Sequence, residues 1–253
     1  MHIVSWNCRG LGNSLKVEAV KDLVKAESPE ILLLQETKIE GESLLDLSRT
    51  KWKWKDGKAI SARGTSGGLA TLWKEELFQL EAPMRTNTRY SLNSGTKQVR
   101  LLLHSSISMF RFNIMKKKEC WQSLLAFLEA NSPKNIILAG DISIVLEPKE
   151  KRGGTINRDQ NLPFVEEMMQ QWDLLDIKPK KGLYTWTNNR TGATHISTKL
   201  DRFLVQSTLL MGKKLFSSKM LPKTTSDHKP VLLQLDEEED LGPIPFKFSP
   251  QWI

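Results

Sequence analysis

Short apolar runs recur along the chain between polar stretches rich in glycine, proline and lysine, while a few segments space their apolar residues at three or four. The runs predict strands over residues 2–6, 31–35, 68–73, 99–104, 110–114, 135–139, 183–187, 200–205 and 231–235. The helical spacings are Leu15, Ala19, Leu23; Trp121, Leu124, Leu125, Leu128; and Val165, Met168, Met169, Trp172. The last helix has a start signal as well. Asn161 is placed to cap, Pro163 suits a first turn, and Glu166 and Glu167 lie near the positive helix end. Many strands with few helices predict a layered α/β domain.

Composition narrows the class. A chain of 253 residues, 39% hydrophobic and 26% charged, has material for a globular core. Its two cysteines, Cys8 and Cys120, make no disulfide framework and no C-x-x-C ligand pair, which fits a reducing, intracellular setting. The opening residues contain no basic segment followed by an apolar stretch, so no signal peptide is expected. No apolar run approaches the roughly 18 residues of a membrane span, so no membrane partner is expected. The charge balance, 37 Lys+Arg against 29 Asp+Glu, gives +8 and suggests a polyanionic partner such as nucleic acid. No repeat or linker divides residues 1–235, which predicts one domain; the acidic run 236–240 and the prolines at 243 and 245 predict a solvated tail over 236–253.

The candidate chemistry lies at strand ends. Glu36 and Asp141 each close an apolar run, Asp201 opens one, and Asp227-His228 stands just before another. If the later strands run antiparallel to the earlier ones, all of these meet at one sheet edge. Carboxylates and a histidine on a basic surface suit metal-assisted phosphodiester hydrolysis: a hard cation such as Mg²⁺ takes carboxylate oxygens and offsets phosphate charge. A carboxylate can position water, and a histidine held by an aspartate can act as acid, base or electrostatic stabiliser. Taken singly, the Gly-Asp and Ser-Asp-His segments also read as turns.

Five ordered segments then carry a family resemblance: Ser5-Trp6-Asn7-Cys8-Arg9-Gly10-Leu11-Gly12, Leu34-Gln35-Glu36-Thr37-Lys38, Ala139-Gly140-Asp141, Lys199-Leu200-Asp201-Arg202-Phe203-Leu204 and Ser226-Asp227-His228-Lys229-Pro230. Residues 2–235 resemble the endonuclease/exonuclease/phosphatase superfamily, most of all the endonuclease domain of a plant non-LTR (LINE-type) retrotransposon. The resemblance implies a four-layer α/β/β/α sandwich, two mostly antiparallel sheets packed face to face with helices outside. It implies Glu36 as the main Mg²⁺ ligand, with Mn²⁺ a candidate substitute, Asn7 beside it at metal or phosphate, and Asp227 at the metal or its water shell. Asp141 would orient the attacking water, and His228, supported by Asp201, would stabilise the phosphate. The implied product is a DNA nick with a 3′-hydroxyl. Arg9, Lys38, Lys116, Lys117 and Lys199 become candidate DNA contacts. The tail, with Phe246, Phe248 and Trp252, resembles a segment leading to a reverse transcriptase domain, which implies a monomeric, nuclear DNA-acting unit of a longer polypeptide.

Two departures bear on activity. Where the family has Phe-Asn after Gly-Asp, this chain has Ile142-Ser143, and losing one preorganised donor costs about 10²- to 10³-fold in rate. A loop carrying an active-site tyrosine is also missing, since Met115-Lys116-Lys117 runs straight into the helix of Trp121, and neither Tyr90 nor Tyr184 stands in its place. These departures set a second reading beside the nuclease, a nucleic-acid-binding remnant that does not cut, and the breadth of the superfamily adds a third, a phosphatase. Other motifs are decoys. Gly64-Thr65-Ser66-Gly67-Gly68 matches a serine-hydrolase elbow but precedes a strand where the elbow needs a helix. Lys51-Trp52-Lys53-Trp54-Lys55 reads as a strand with two tryptophans on one face and three lysines on the other, either a grip for phosphates or an edge strand with its tryptophans inward.

Overall fold

Every position of Ile31-Leu32-Leu33-Leu34 is apolar because its strand is covered on both faces. In the computed structural model, which describes residues 1–74, 79–81, 91–93, 100–101, 114–155, 158–211 and 214–237, this strand is β2 (Ile31–Gln35). It lies parallel to β1 (His2–Asn7) in a six-stranded sheet. The other members are β3 (Asp56–Arg63), β4 (Ser66–Trp73), β14 (Lys214–Met220) and β15 (Val231–Glu237), in the order β14-β15-β1-β2-β4-β3, with every remaining pair antiparallel. A second sheet orders β10 (Leu174–Asp176), β13 (Asp201–Gln206), β8 (Ile136–Asp141) and β7 (Arg100–Leu101). Small ladders join β5 (Gln79–Glu81) to β6 (Ser91–Asn93), and β9 (Lys151–Arg152) to β12 (Ser197–Thr198) and β11 (Trp186–Thr187).

The two large sheets pack face to face, and alternate side chains sort into separate cores. Ile3, Ile31, Leu33 and Leu233 meet Ile137, Ala139, Phe203 and Val205 between the sheets. On the far side of the first sheet, Val4, Trp6, Leu32, Leu34 and Leu72 pack under α1 (Ser14–Glu27) and α2 (Gly41–Leu47). On the far side of the second, Ile136, Leu138 and Leu204 pack under α3 (Ile114–Asn131) and α4 (Leu162–Gln171). The result is the expected α/β/β/α layering.

Several local expectations change. In α1, Val17, Val20 and Leu23 face the sheet, while Leu15 is 73% exposed: two residues along a helix turn about 200°, so the stripe through Val17 excludes Leu15. Asn13 caps this helix, its Oδ1 accepting from the Lys16 amide at 3.0 Å. Asn161 does not cap α4; its amide instead bonds Asp159. The 51–55 segment is no strand. It leaves a π-helical turn (Ser48–Trp52) through Lys53 at φ 62°, and both Trp52 and Trp54 are buried with the lysines outside. Residues 64–65 form the β3–β4 hairpin turn, as the absence of a following helix suggested. Asp236 and Glu237 extend β15 against Leu215 and Lys214, so the strand passes the expected start of the tail. The predicted strand 110–114 lies outside the described residues except Ile114, which opens α3; of 99–104, only β7 is described. Tail residues 238–253 and the Tyr90 position also lie outside them.

Candidate active site

Strand direction assembles the site. β1 ends on Asn7 and the parallel β2 delivers Glu36 one residue past its end. β8 ends on Asp141, directly opposite Asp201 at the start of antiparallel β13. The segment 226–228 enters β15, which is antiparallel to β1 and so starts where β1 ends. Both sheets therefore bring their polar ends to one end of the sandwich. Asn7, Glu36, Asp141, Asp201 and His228 are all buried there.

The side chains interlock. The Asn7 amide donates to Glu36 Oε1 at 3.2 Å and to Asp141 Oδ2 at 3.1 Å. His228 Nδ1 lies 2.9 Å from Asp201 Oδ2, and its Nε2 lies 3.8 Å from Asp141 Oδ2 with no hydrogen-bond partner among the described residues. Thr185 Oγ1 accepts from the Leu200 and Asp201 amides, each at 3.0 Å, and fixes the Asp201 backbone. Ser226 Oγ donates to the Asn7 carbonyl at 2.7 Å, and Trp6 Nε1 donates to the His228 carbonyl at 3.2 Å, so β1 holds the histidine loop. The Ser143 amide and hydroxyl both donate to Asp141 Oδ1 at 2.8 Å. Ser143 thus orients that carboxylate.

Burial and charge tune these groups against one another. Burial raises the Asp201 carboxyl's pKa despite the imidazole beside it. Burial alone would lower His228, but Asp201, Asp141 and Asp227 together outweigh it and raise its proton affinity. Asp227 is half-buried at the mouth. Burial pushes it up, yet hydrogen bonds from Arg9 and Trp186 overcome this and hold it down at about 2. Trp186 Nε1 supplies its bond at 2.8 Å to Asp227 Oδ2. Cys8 is buried and its thiol is pushed up to about 12 by desolvation, which makes it inert.

Two expected DNA contacts are turned inward. Arg9 Nη1 donates to Glu36 Oε2 at 3.0 Å, and its Nε and Nη2 fork onto Asp227 at 2.9 and 3.0 Å. Lys199 is 1% exposed and belongs to a buried ion cluster with Arg202, Glu150 and Asp176, so it cannot meet a phosphate. The charged residues on either side of Leu200-Asp201 disguised this, because only the tertiary structure brings both Lys199, in the link from β12 to β13, and Arg202, on β13, onto Glu150 and Asp176. Lys38 is exposed two residues past Glu36. Lys116 and Lys117 lie in the first turn of α3, with side chains outside the described residues. Thr185 and Trp186 were not singled out in the sequence, since only the pairing of Trp186 with His228 across an isolated bridge makes them neighbours of the site.

The metal implied by the resemblance can be tested against the donors. Glu36 offers a hard, buried carboxylate beside the Asn7 amide, which fits an oxygen-preferring divalent cation. Both oxygens of Glu36 already accept hydrogen bonds, from Asn7 and Arg9, and so do both oxygens of Asp227, from Arg9 and Trp186, so an ion at either carboxylate would displace a donor. Asp141, Asp201 and His228 also bring ligand atoms within 4.8 Å of one another, although the His228–Asp201 bond already engages one ring nitrogen.

This fold, with carboxylates and a paired histidine at the strand ends, defines a hydrolase-like α/β sandwich. Residues 4–228 match the Endonuclease/Exonuclease/phosphatase family, and the chain belongs to it. It is 22% identical over 235 residues to an exodeoxyribonuclease of Bacillus subtilis (strain 168), covering 83% of this chain and 89% of that one. Among solved structures, an AP endonuclease from Archaeoglobus fulgidus superposes with a TM-score of 0.71 at 14% identity, covering 93% and 99% of the two chains. A 3′ phosphatase from Neisseria, bound to a product DNA hairpin, superposes with a TM-score of 0.67 at 18% identity, covering 93% and 99%.

Proposed function

We propose that this protein is a divalent-cation-dependent DNA endonuclease of retrotransposon type, which nicks one strand to leave a 3′-hydroxyl. The observation that carries the reading is the convergence of Asn7-Glu36 and the Asp141–His228–Asp201 group at one buried point. Water attacks phosphorus, Asp141 takes up its proton, the P–O3′ bond breaks, and O3′ takes a proton from solvent water to become the new hydroxyl while the phosphate stays on the 5′ end. His228, whose proton affinity is raised, keeps an N–H at Nε2 for a phosphate oxygen, and Asp201 holds the ring that carries it. Ser143 and Asn7 each fix one oxygen of Asp141. Glu36 and Asn7 would hold Mg²⁺, or Mn²⁺ in its place, which supplies positive charge against the phosphate oxygens.

The +8 charge and exposed Lys38 support a DNA substrate, and the solved relative with bound DNA lends the same support. The opening Ser5–Gly12 segment and Leu200-Asp201-Arg202-Phe203 favour the retrotransposon type, acting as a monomer in the nucleus and continued by a reverse transcriptase domain in a longer parent chain. Supercoiled plasmid tests the reaction: nicking is expected with Mg²⁺ and not with EDTA. Glu36→Ala and His228→Ala should each lower it by more than about 10²-fold with DNA binding retained. Full nicking by Glu36→Ala, or none by the intact chain in Mg²⁺ or Mn²⁺, overturns the reading. In the second case, salt-dependent DNA binding alone supports a binding protein that has lost its reaction.

A further inference from the structure

The cation end of this site is already bridged by a side chain of the protein itself. Arg9 spans Glu36 and Asp227 with three nitrogens at 2.9 to 3.0 Å, and its backbone amide donates to Asn7 Oδ1 at 3.2 Å. One residue thus engages oxygens on all three of the side chains on which a metal at this end of the cleft would draw. The placement is built, not casual. Arg9 sits at φ 54°, its carbonyl accepts from Lys16 Nζ at 2.6 Å, and Leu11, two residues on, donates its amide to the Thr37 carbonyl at 2.8 Å. The loop is tied at both ends to the strand ends that carry Asn7 and Glu36.

A guanidinium forked onto a carboxylate is a strong, directional cation–anion contact, and a divalent ion on the same oxygens would face its positive charge at close range. Both cannot hold the Glu36–Asp227 pair. We propose that Arg9 is a resident competitor of the divalent cation: the ion binds Glu36 only as the guanidinium withdraws, so this exchange sets the metal affinity of the protein. The proposal rests on the metal-dependent reading above and adds the residue that regulates it. A guanidinium on the pair also keeps these two carboxylates from repelling each other when no ion is bound, and Asp227 keeps its Trp186 bond in either state.

Direct Mn²⁺ binding tests this without any turnover. Free Mn²⁺ is followed by electron paramagnetic resonance during titration of the full chain, without DNA, for the intact protein, Arg9→Gln, Arg9→Lys and Glu36→Gln. Arg9→Gln should tighten binding at least about tenfold, because the competing charge is gone. Arg9→Lys, which keeps a charge but cannot fork, should fall between. Glu36→Gln should abolish the site, alone and combined with Arg9→Gln. Unchanged or weaker Mn²⁺ binding in Arg9→Gln, with binding in the intact chain still dependent on Glu36, overturns the competition alone. Absence of Glu36-dependent binding in both the intact chain and Arg9→Gln overturns the metal reading and the competition together.

Discussion

Replacing Arg202 by methionine removes one charge from a cluster that has no water to fall back on. Arg202 is 2% exposed, and its guanidinium donates to Glu150 Oε1 at 2.9 Å, Asp176 Oδ2 at 2.6 Å and the Ile144 and Lys199 carbonyls at 3.3 and 3.2 Å, besides Glu150 Oε2. Lys199 Nζ adds Asp176 at 2.5 Å and Glu150 at 3.7 Å. Two cations meet two anions, and the cluster is neutral. In Arg202→Met, Lys199 alone faces two carboxylates, so a buried negative charge is left uncompensated at a cost of about 3–5 kcal/mol. For a chain of this length each kcal/mol lowers Tm by roughly 2–4 °C, which makes the expected drop about 6–20 °C.

Urea unfolding read by tryptophan fluorescence, at several pH values, measures that loss. In the intact protein burial pushes the Glu150 carboxyl's pKa up, but Arg202 outweighs it and holds it below its usual value. Without Arg202 that pull is lost, and the folded-state pKa rises above the unfolded one. The variant's deficit should then be largest above the folded pKa and shrink as pH falls toward the unfolded value of about 4.3, where a proton replaces the missing cation. Adding Glu150→Gln to Arg202→Met should recover part of the loss at neutral pH. A deficit below about 1 kcal/mol that does not change with pH would refute the charge argument.

Three further outcomes follow from the same contacts. The Asp227 carboxyl should titrate in NMR at about 2 and rise toward the ordinary 3.8 in Arg9→Gln; its share of stability, fully present above about 3.8, is lost as pH falls through 2, and an unmoved midpoint would show that Arg9 is not the cause. Gly68→Ala places a Cβ at φ +83°, 2.3 Å from Thr37 Oγ1 and 3.0 Å from the Lys38 amide, where β4 meets the segment after Glu36, so thermal unfolding should report a loss of roughly 2 kcal/mol or more. Leu15→Ala should stay within about 0.5 kcal/mol while Leu124→Ala costs about 2–5 kcal/mol, and equal costs would contradict the helix faces described here.

Much of this protein is written in local pattern. Runs such as Ile31 to Leu34 and Ile136 to Ala139 are apolar at successive positions because each strand is pressed between two layers, and that density of hydrophobic residues is visible without coordinates. Glu36, Asp141, Asp201 and His228 are legible for a related reason: a polar group that interrupts or adjoins such a run marks the point where the strand leaves the core. What periodicity could not reveal depends on direction and partners. Leu15 and Val17 are both apolar, and only the placement of α1 on the sheet selects the second. Lys199 looks like a surface cation until the link between β12 and β13, where its amide donates to the Glu150 carbonyl, carries it inside to Asp176. Arg9 looks like a hand for DNA, yet the loop from β1 turns it back onto Glu36 and Asp227, two residues that chain order keeps 191 positions apart. Sequence alone determined the buried strands and the polar groups at their ends, because burial follows from composition along a strand. The tertiary structure decided which charges neutralise which, because electrostatic pairing depends on distances that only the packed sheets create.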